Sequence, residues 1–213
     1  LHSDDLPVLD LEGLAGHKGS LYGSVDSVPN SQKMFSILLY HRLDELKHHP
    51  YVFVEAESNK IGDVHVPKFI CAKIANDVKV RVNATVETRV AALKREYLAS
   101  ETCIQQLHQA TKEVAKFVGQ KRADMLHKML DDEQYDEFAE WLLLKYYDQR
   151  YKHTNNKGYD YRLEISSDDI DDCCDKLTEF YQSLTTKQGG FRFLFCFGGG
   201  GGGAKLTPRT ACE

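Results

Sequence analysis

"VLDLEGLAGHKGSLYGS", residues 8–24, runs from strand-forming apolar residues through two carboxylates into a stretch with a glycine at every third or fourth position. Residues 8–11 follow Pro7 and read as a short buried strand. A strand, acids at its carboxyl end, a glycine-rich turn and the pair His17-Lys18 predict an α/β protein with a site at that sheet edge. The pattern nearest to this loop is the phosphate-binding G-x-x-x-x-G-K-[ST]. Residues 13–20 hold the right residue types in another order, with Lys18 before Gly19, so the loop is not a Walker A loop. Two readings remain: a nest of backbone amides in which His17, Lys18, Gly19 and Ser20 hold a phosphate, or a plain crossover loop.

Outward from that loop the same alternation continues. Ser31 is a good N-cap for a helix that stops before Pro50, and residues 51–54 form a second apolar run ending on Glu55 and Glu57. Pro67 opens a helix expected to turn Phe69, Ile70 and Ile74 inward. Val78, Val80 and Val82 alternate with Lys79 and Arg81 as a half-buried strand, and Thr85 caps the next helix. Strands separated by helices imply βαβ units and a mainly parallel sheet. Its parallel strands would bring Asp10, Glu12, Glu55 and Glu57 to one edge, as a magnesium or general-base site or as solvated strand ends. Residues 1–98 are read as this α/β core.

From residue 99 to about 184 the pattern turns helical, apart from an alternating stretch at 159–165 and a last helix capped by Ser166 or Ser167. Trp141, Tyr146, Tyr147 and Tyr151 form an aromatic stripe, read as core with base stacking as the alternative. The tail 185–213, "FRFLFCF" followed by six glycines, is expected to be disordered and foreign to both parts. A membrane-touching aromatic anchor is its functional alternative.

The net charge of −5, from 32 acids against 27 Lys plus Arg, excludes a global basic field, so any RNA contact must come from a local patch. No stretch reaches the ~20 apolar residues of a membrane span. Six cysteines without a C-x-x-C pair read as reduced thiols of a cytoplasmic protein, with no metal site. The chain opens on Leu rather than Met, so an upstream segment is expected.

Five segments in register resemble the tRNA 2-selenouridine synthase family: residues 8–24, "SQKMFSILL" (31–39), "VFVEAESNKIGDVHVP" (52–67), "TRVAALKREY" (88–97) and "LLLKYYDQRY" (142–151). Lys18 stands where the family usually has Arg, and Ala56 where it usually has Asp. The resemblance implies a transferase with two domains. A rhodanese-like domain carries the catalytic cysteine, and a P-loop-type α/β domain holds prenyl diphosphate and tRNA. Selenium replaces sulfur in wobble 2-thiouridine through an S-geranyl intermediate, with geranyl diphosphate and selenophosphate as co-substrates. The catalytic residue would lie outside this chain, which alone would be inactive. The first strand and Walker A loop would precede Leu1, leaving an incomplete P-loop-type sheet with a helical extension.

On that resemblance His17, Lys18, Gly19 and Ser20 would cradle phosphate, and Glu55, Glu57, Ser58 and Lys60 would line the opposite wall. Arg89 would bind phosphate or brace its helix. A non-catalytic tRNA-binding module serving a separate rhodanese partner, and a degenerate P-loop kinase relative, are the competing readings. The sheet is expected to show a gap, or a foreign neighbour, where its first strand belongs.

Overall fold

The computed structural model describes residues 6–55, 59–98, 101–149, 159–185 and 191–199. Strand β1 (Val8–Leu9) leads directly into a short helix α1 (Leu11–Ala15), then a loop and α2 (Gln32–Leu46). Strand β2 (Tyr51–Glu55), the small hairpin β3 (Lys60–Ile61) and β4 (Val64–His65), and α3 (Lys68–Asn76) follow. Next come β5 (Val78–Asn83), α4 (Val86–Tyr97), α5 (Glu101–Val118), α6 (Gln120–Asp131) and α7 (Tyr135–Trp141). α7 runs on as a π-helical turn (Leu142–Tyr147), before β6 (Leu163–Ser166), α8 (Ile170–Thr185) and β7 (Arg192–Gly199).

Five of the strands form one parallel sheet in the order β1-β2-β7-β5-β6, so the chain is α/β with a P-loop-like sheet. There is no gap. The last strand, β7, lies between β2 and β5, the place a P-loop-type sheet keeps for the strand that feeds its phosphate loop. This overturns the expectation that residues 191–199 stand outside the fold; residues 200–213 lie outside the described residues. The physical reason is legible afterwards: a central parallel strand is covered on both faces and needs apolar residues in both phases. Phe193 and Phe195 point to one face, Leu194 and Cys196 to the other, and all four are buried.

Helices α2 and α3 cover the first face, where Phe35, Leu39 and Ile70 pack on Val52, Val54, Phe193 and Phe195. α8 covers the second through Cys173 and Leu177. A separate core joins α4, α5, α6, α7 and the π-helical turn, and it takes in Tyr22 and Val25 from the loop after α1. Strand β1 is an edge, and Arg42 Nε and Nη2 satisfy its exposed Val8 carbonyl at 3.1 and 2.9 Å.

Ser31 and Thr85 cap α2 and α4 as the sequence predicts. Four local expectations change. The helix starting at Leu11 takes Asp10 as its N-cap, so Asp10 and Glu12 no longer share one strand face. Phe69 is exposed while Ile70 is buried. Asp169, not a serine, caps α8 by accepting the Asp172 N–H at 3.0 Å. Cys71, Cys103, Cys173 and Cys196 carry no disulfide, whereas Cys174 is disulfide-bonded. Among the described residues no helix is long and apolar enough to cross a membrane.

Candidate functional site

The loop after α1 and the β3–β4 hairpin meet around one imidazole. His17 Nδ1 accepts the Gly19 N–H at 3.1 Å, which leaves the ring proton of the neutral form on Nε2. The ring lies between two glycines. A Cβ on Gly23 would sit 2.5 Å from His17 Cε1, and one on Gly62 would sit 2.8 Å from the other side of the ring. Gly62 also has φ +54°, which a side chain resists, so the hairpin turn needs glycine twice over.

This junction forms one wall of a cleft of about 540 Å³, lined there by His17, Gly19, Ser20 and Lys60. That volume falls within the ~300–1,000 Å³ of small-ligand sites. The cleft also has an aromatic lining: Phe117 from the last turn of α5, with Tyr146 and Tyr147 from the π-helical turn. Wide turns of this kind are rare and recur at functional sites. The Phe117 and Tyr146 rings are 6.5 Å apart, and Tyr146 and Tyr147 meet edge to face at 5.0 Å. Next to this lining lies a small apolar pocket of about 30 Å³, bounded by Leu107, Phe138, Leu142 and Tyr147. Burial pushes the Tyr22, Tyr97 and Tyr147 phenols above the ordinary tyrosine range, so all three stay protonated at neutral pH. Ser20 Oγ sits among them, 3.4 Å from Tyr97 OH, and accepts the Tyr22 N–H at 3.1 Å.

A second group gathers at the carboxyl ends of β1 and β2. Glu55 is 3% exposed and its Oε1 accepts the Glu12 N–H at 2.7 Å, while Oε2 has no partner among the described residues. Burial, and then the nearby Asp10 charge, push the Glu55 carboxyl up to about 8, so at neutral pH it is mostly protonated. Cys196, paired with Glu55 across the strands, is pushed up to about 12 by burial and then by that carboxyl. Three of the four expected acids thus converge: Asp10, Glu12 and Glu55. Glu57 and Ser58 lie outside the described residues. Among the described residues no three His, Cys, Asp or Glu side chains are grouped to hold a metal ion.

Lys18 and Arg89 stand apart from the cleft. Lys18 Nζ turns onto the end of α4, 3.3 Å from the Glu96 carbonyl and 4.5 Å from the Tyr97 ring centroid. A cation there complements the helix's negative end. Arg89 is buried and grips Asp148 through both terminal nitrogens, a contact that braces α4. Phe117 and the π-helical turn went unmarked as site elements. The only sequence signal for the turn was the aromatic stripe.

The family model for the tRNA 2-selenouridine synthase AAA domain matches residues 2–183. Proteins named tRNA 2-selenouridine synthase are similar across much of the chain. One from a Sulfurovum species is 23% identical over 76% of this chain and 50% of its own length. One from Hydrogenovibrio crunogenus is 28% identical over 74% and 49%, and one from Shewanella halifaxensis 29% over 71% and 49%. The chain therefore spans about half the length of the curated relatives it matches. No solved structure matches. With a parallel α/β sheet and a family match over most of its length, the chain belongs to the tRNA 2-selenouridine synthase AAA-domain family.

Proposed function

We propose that this chain is the phosphate- and RNA-holding part of a cytoplasmic tRNA 2-selenouridine synthase, a transferase. The observation that carries the reading is the cleft that joins His17, Ser20 and Lys60 to an aromatic wall, on a chain of this family. Lys60, whose half-exposed ammonium lies 3.3 Å from Asp63 Oδ1, supplies the cleft's positive charge for an anionic group. That group is the diphosphate of geranyl diphosphate or a phosphate of tRNA. Geranyl transfer to the sulfur of wobble 2-thiouridine, followed by replacement with selenium from selenophosphate, then uses a cysteine on a rhodanese-type domain.

The test is nucleoside mass spectrometry of 2-thiouridine tRNA incubated with geranyl diphosphate, selenophosphate and this chain. We expect no 2-selenouridine from the chain alone and product once a rhodanese-bearing partner is added. Product from the chain alone overturns the division of labour; failure to bind the tRNA at all overturns the reading.

A further inference from the structure

Helices α5 and α6 are joined by Gly119 alone, at φ +86°, and fold back on each other as a hairpin. Away from that turn, His108 and His127 meet across the two helices. Their Nδ1 atoms are 2.9 Å apart, the rings are parallel to within 4°, and the ring centroids are 5.2 Å apart. With the nitrogens that close, parallel imidazoles reach this centroid separation only when they lie in one plane, edge to edge, each Nδ1 aimed at the other. That is a straight N–H···N hydrogen bond, with one proton between two facing lone pairs. The gap is too short for a metal ion held head-on, which needs about 2.0–2.1 Å to each nitrogen.

Such a bond tolerates one added proton and not two. In the neutral pair one Nδ1 carries the hydrogen and the other accepts it. A first added proton can sit on an outer Nε2 and leave the bond whole. A second puts a hydrogen on both facing nitrogens and sets two like charges against each other. Both helices bring charge to the pair. Asp131 of α6 lies 3.4 Å from His108 Nε2, and with Asp124 it favours a proton, while Lys112 of α5 resists one. Burial first, and then the His108 charge, hold His127 below the ordinary histidine value. The rings are half-buried where Leu107, Leu126 and Leu130 join the helical core. We propose that His108 and His127 form a pH-sensitive latch, which pins α6 to α5 while at most one of them is charged and releases the open end of the hairpin when both are. The latch stands apart from the cleft and does not depend on the tRNA reading.

The experiment follows denaturant unfolding of the 213-residue chain and of His127→Asn between about pH 7.5 and about pH 5.5. An Asn amide reaches the Nδ1 position and presents either a donor or an acceptor, so its bond to His108 survives every protonation state. In the unfolded chain both imidazoles take up protons below about pH 6.5, while the closed latch holds one back. Stability present above that pH is therefore lost beneath it. By about pH 5.5 the unfolding constant of the wild type should have risen about five- to tenfold more than that of His127→Asn. Glu55 is common to both proteins and cancels in the comparison. Imidazole nitrogen NMR of the unaltered chain should show the two rings titrating as a coupled pair, the second proton entering well below the first. That measurement needs no variant and decides alone if His127→Asn does not fold. Parallel stability profiles for the two proteins, or two rings that titrate independently, overturn the latch.

Discussion

Arg89 Nη2 and Nη1 reach the two carboxylate oxygens of Asp148 at 2.6 and 3.2 Å, tying the first turn of α4 to the residue just past the π-helical turn. The guanidinium side chain is 6% exposed. Removing one partner of a buried pair leaves the other charge uncompensated, at about 3–5 kcal/mol. Arg89→Ala should therefore lower the unfolding free energy, read from denaturant titration, by about that amount, and Asp148→Ala should fall near it. A variant of normal stability that fails only in RNA binding would make Arg89 a phosphate ligand after all.

Glu55 gives the fold a defined pH response. Its folded value of about 8 stands above the ordinary value of 4.5, so the stability is whole below about pH 4.5. It falls as the pH rises, because the unfolded chain releases this proton first, and it levels off above about 8. The span is on the order of a few kcal/mol. Glu55→Gln should flatten the stability profile across that window and be the more stable protein at pH 8. Parallel profiles for the two proteins would show that Glu55 does not titrate this way.

The two glycines beside His17 make a steric prediction. Gly62→Ala combines a left-handed backbone with a Cβ 2.8 Å from the imidazole, whereas Gly119→Ala, at φ +86°, meets nothing within 4 Å. Gly119→Ala should cost about 1–2 kcal/mol from backbone strain, and Gly62→Ala distinctly more. Adding His17→Ala to Gly62→Ala should recover the difference, measured by a double-mutant cycle in thermal denaturation. Simple additivity would place the imidazole elsewhere.

Lys60 and Lys18 should differ in their salt signatures. Lys60→Ala is expected to make the salt dependence of tRNA binding shallower by about one counterion. Lys18→Ala, whose ammonium sits on the end of α4 and outside the cleft lining, should leave the slope in place. Equal slopes for Lys60→Ala and wild type would remove Lys60 from the RNA contact.

Burial of β7 is directly measurable. Phe195 is fully buried, and Phe195→Ala should cost about 3–5 kcal/mol, as for a core phenylalanine. An unpacked tail would lose nothing.

The strands at Tyr51–Glu55 and Val78–Asn83 and the caps Ser31 and Thr85 were readable because period and cap chemistry are local. Residues 191–199 were misread because the glycine run beside them suggested disorder, although seven apolar or aromatic-flanked positions between glycines also fit a buried strand. Helix α1 was hidden by Gly13 and Gly16, which argue against helix on propensity; the Asp10 cap decided otherwise. His17, Gly19, Ser20 and Lys60 could be gathered from their place near strand ends. Phe117 could not, because an exposed aromatic on an amphipathic helix becomes a site only through what faces it from distant segments. The π-helical turn has no periodic signature of its own.

Every other strand of the sheet precedes β7 in the chain, and Phe53 waits for Leu194 as its partner. Among the described strands, β2 and β5 emerge before β7, the strand that pairs with the inner edges of both. Such edges recruit foreign strands. The helical elements 86–147 can fold locally in the meantime, but closure of the sheet is a late, long-range step, slow by its topology. The yield of soluble protein should then depend on how fast residues 191–199 arrive, and slowing translation just before them should raise aggregation.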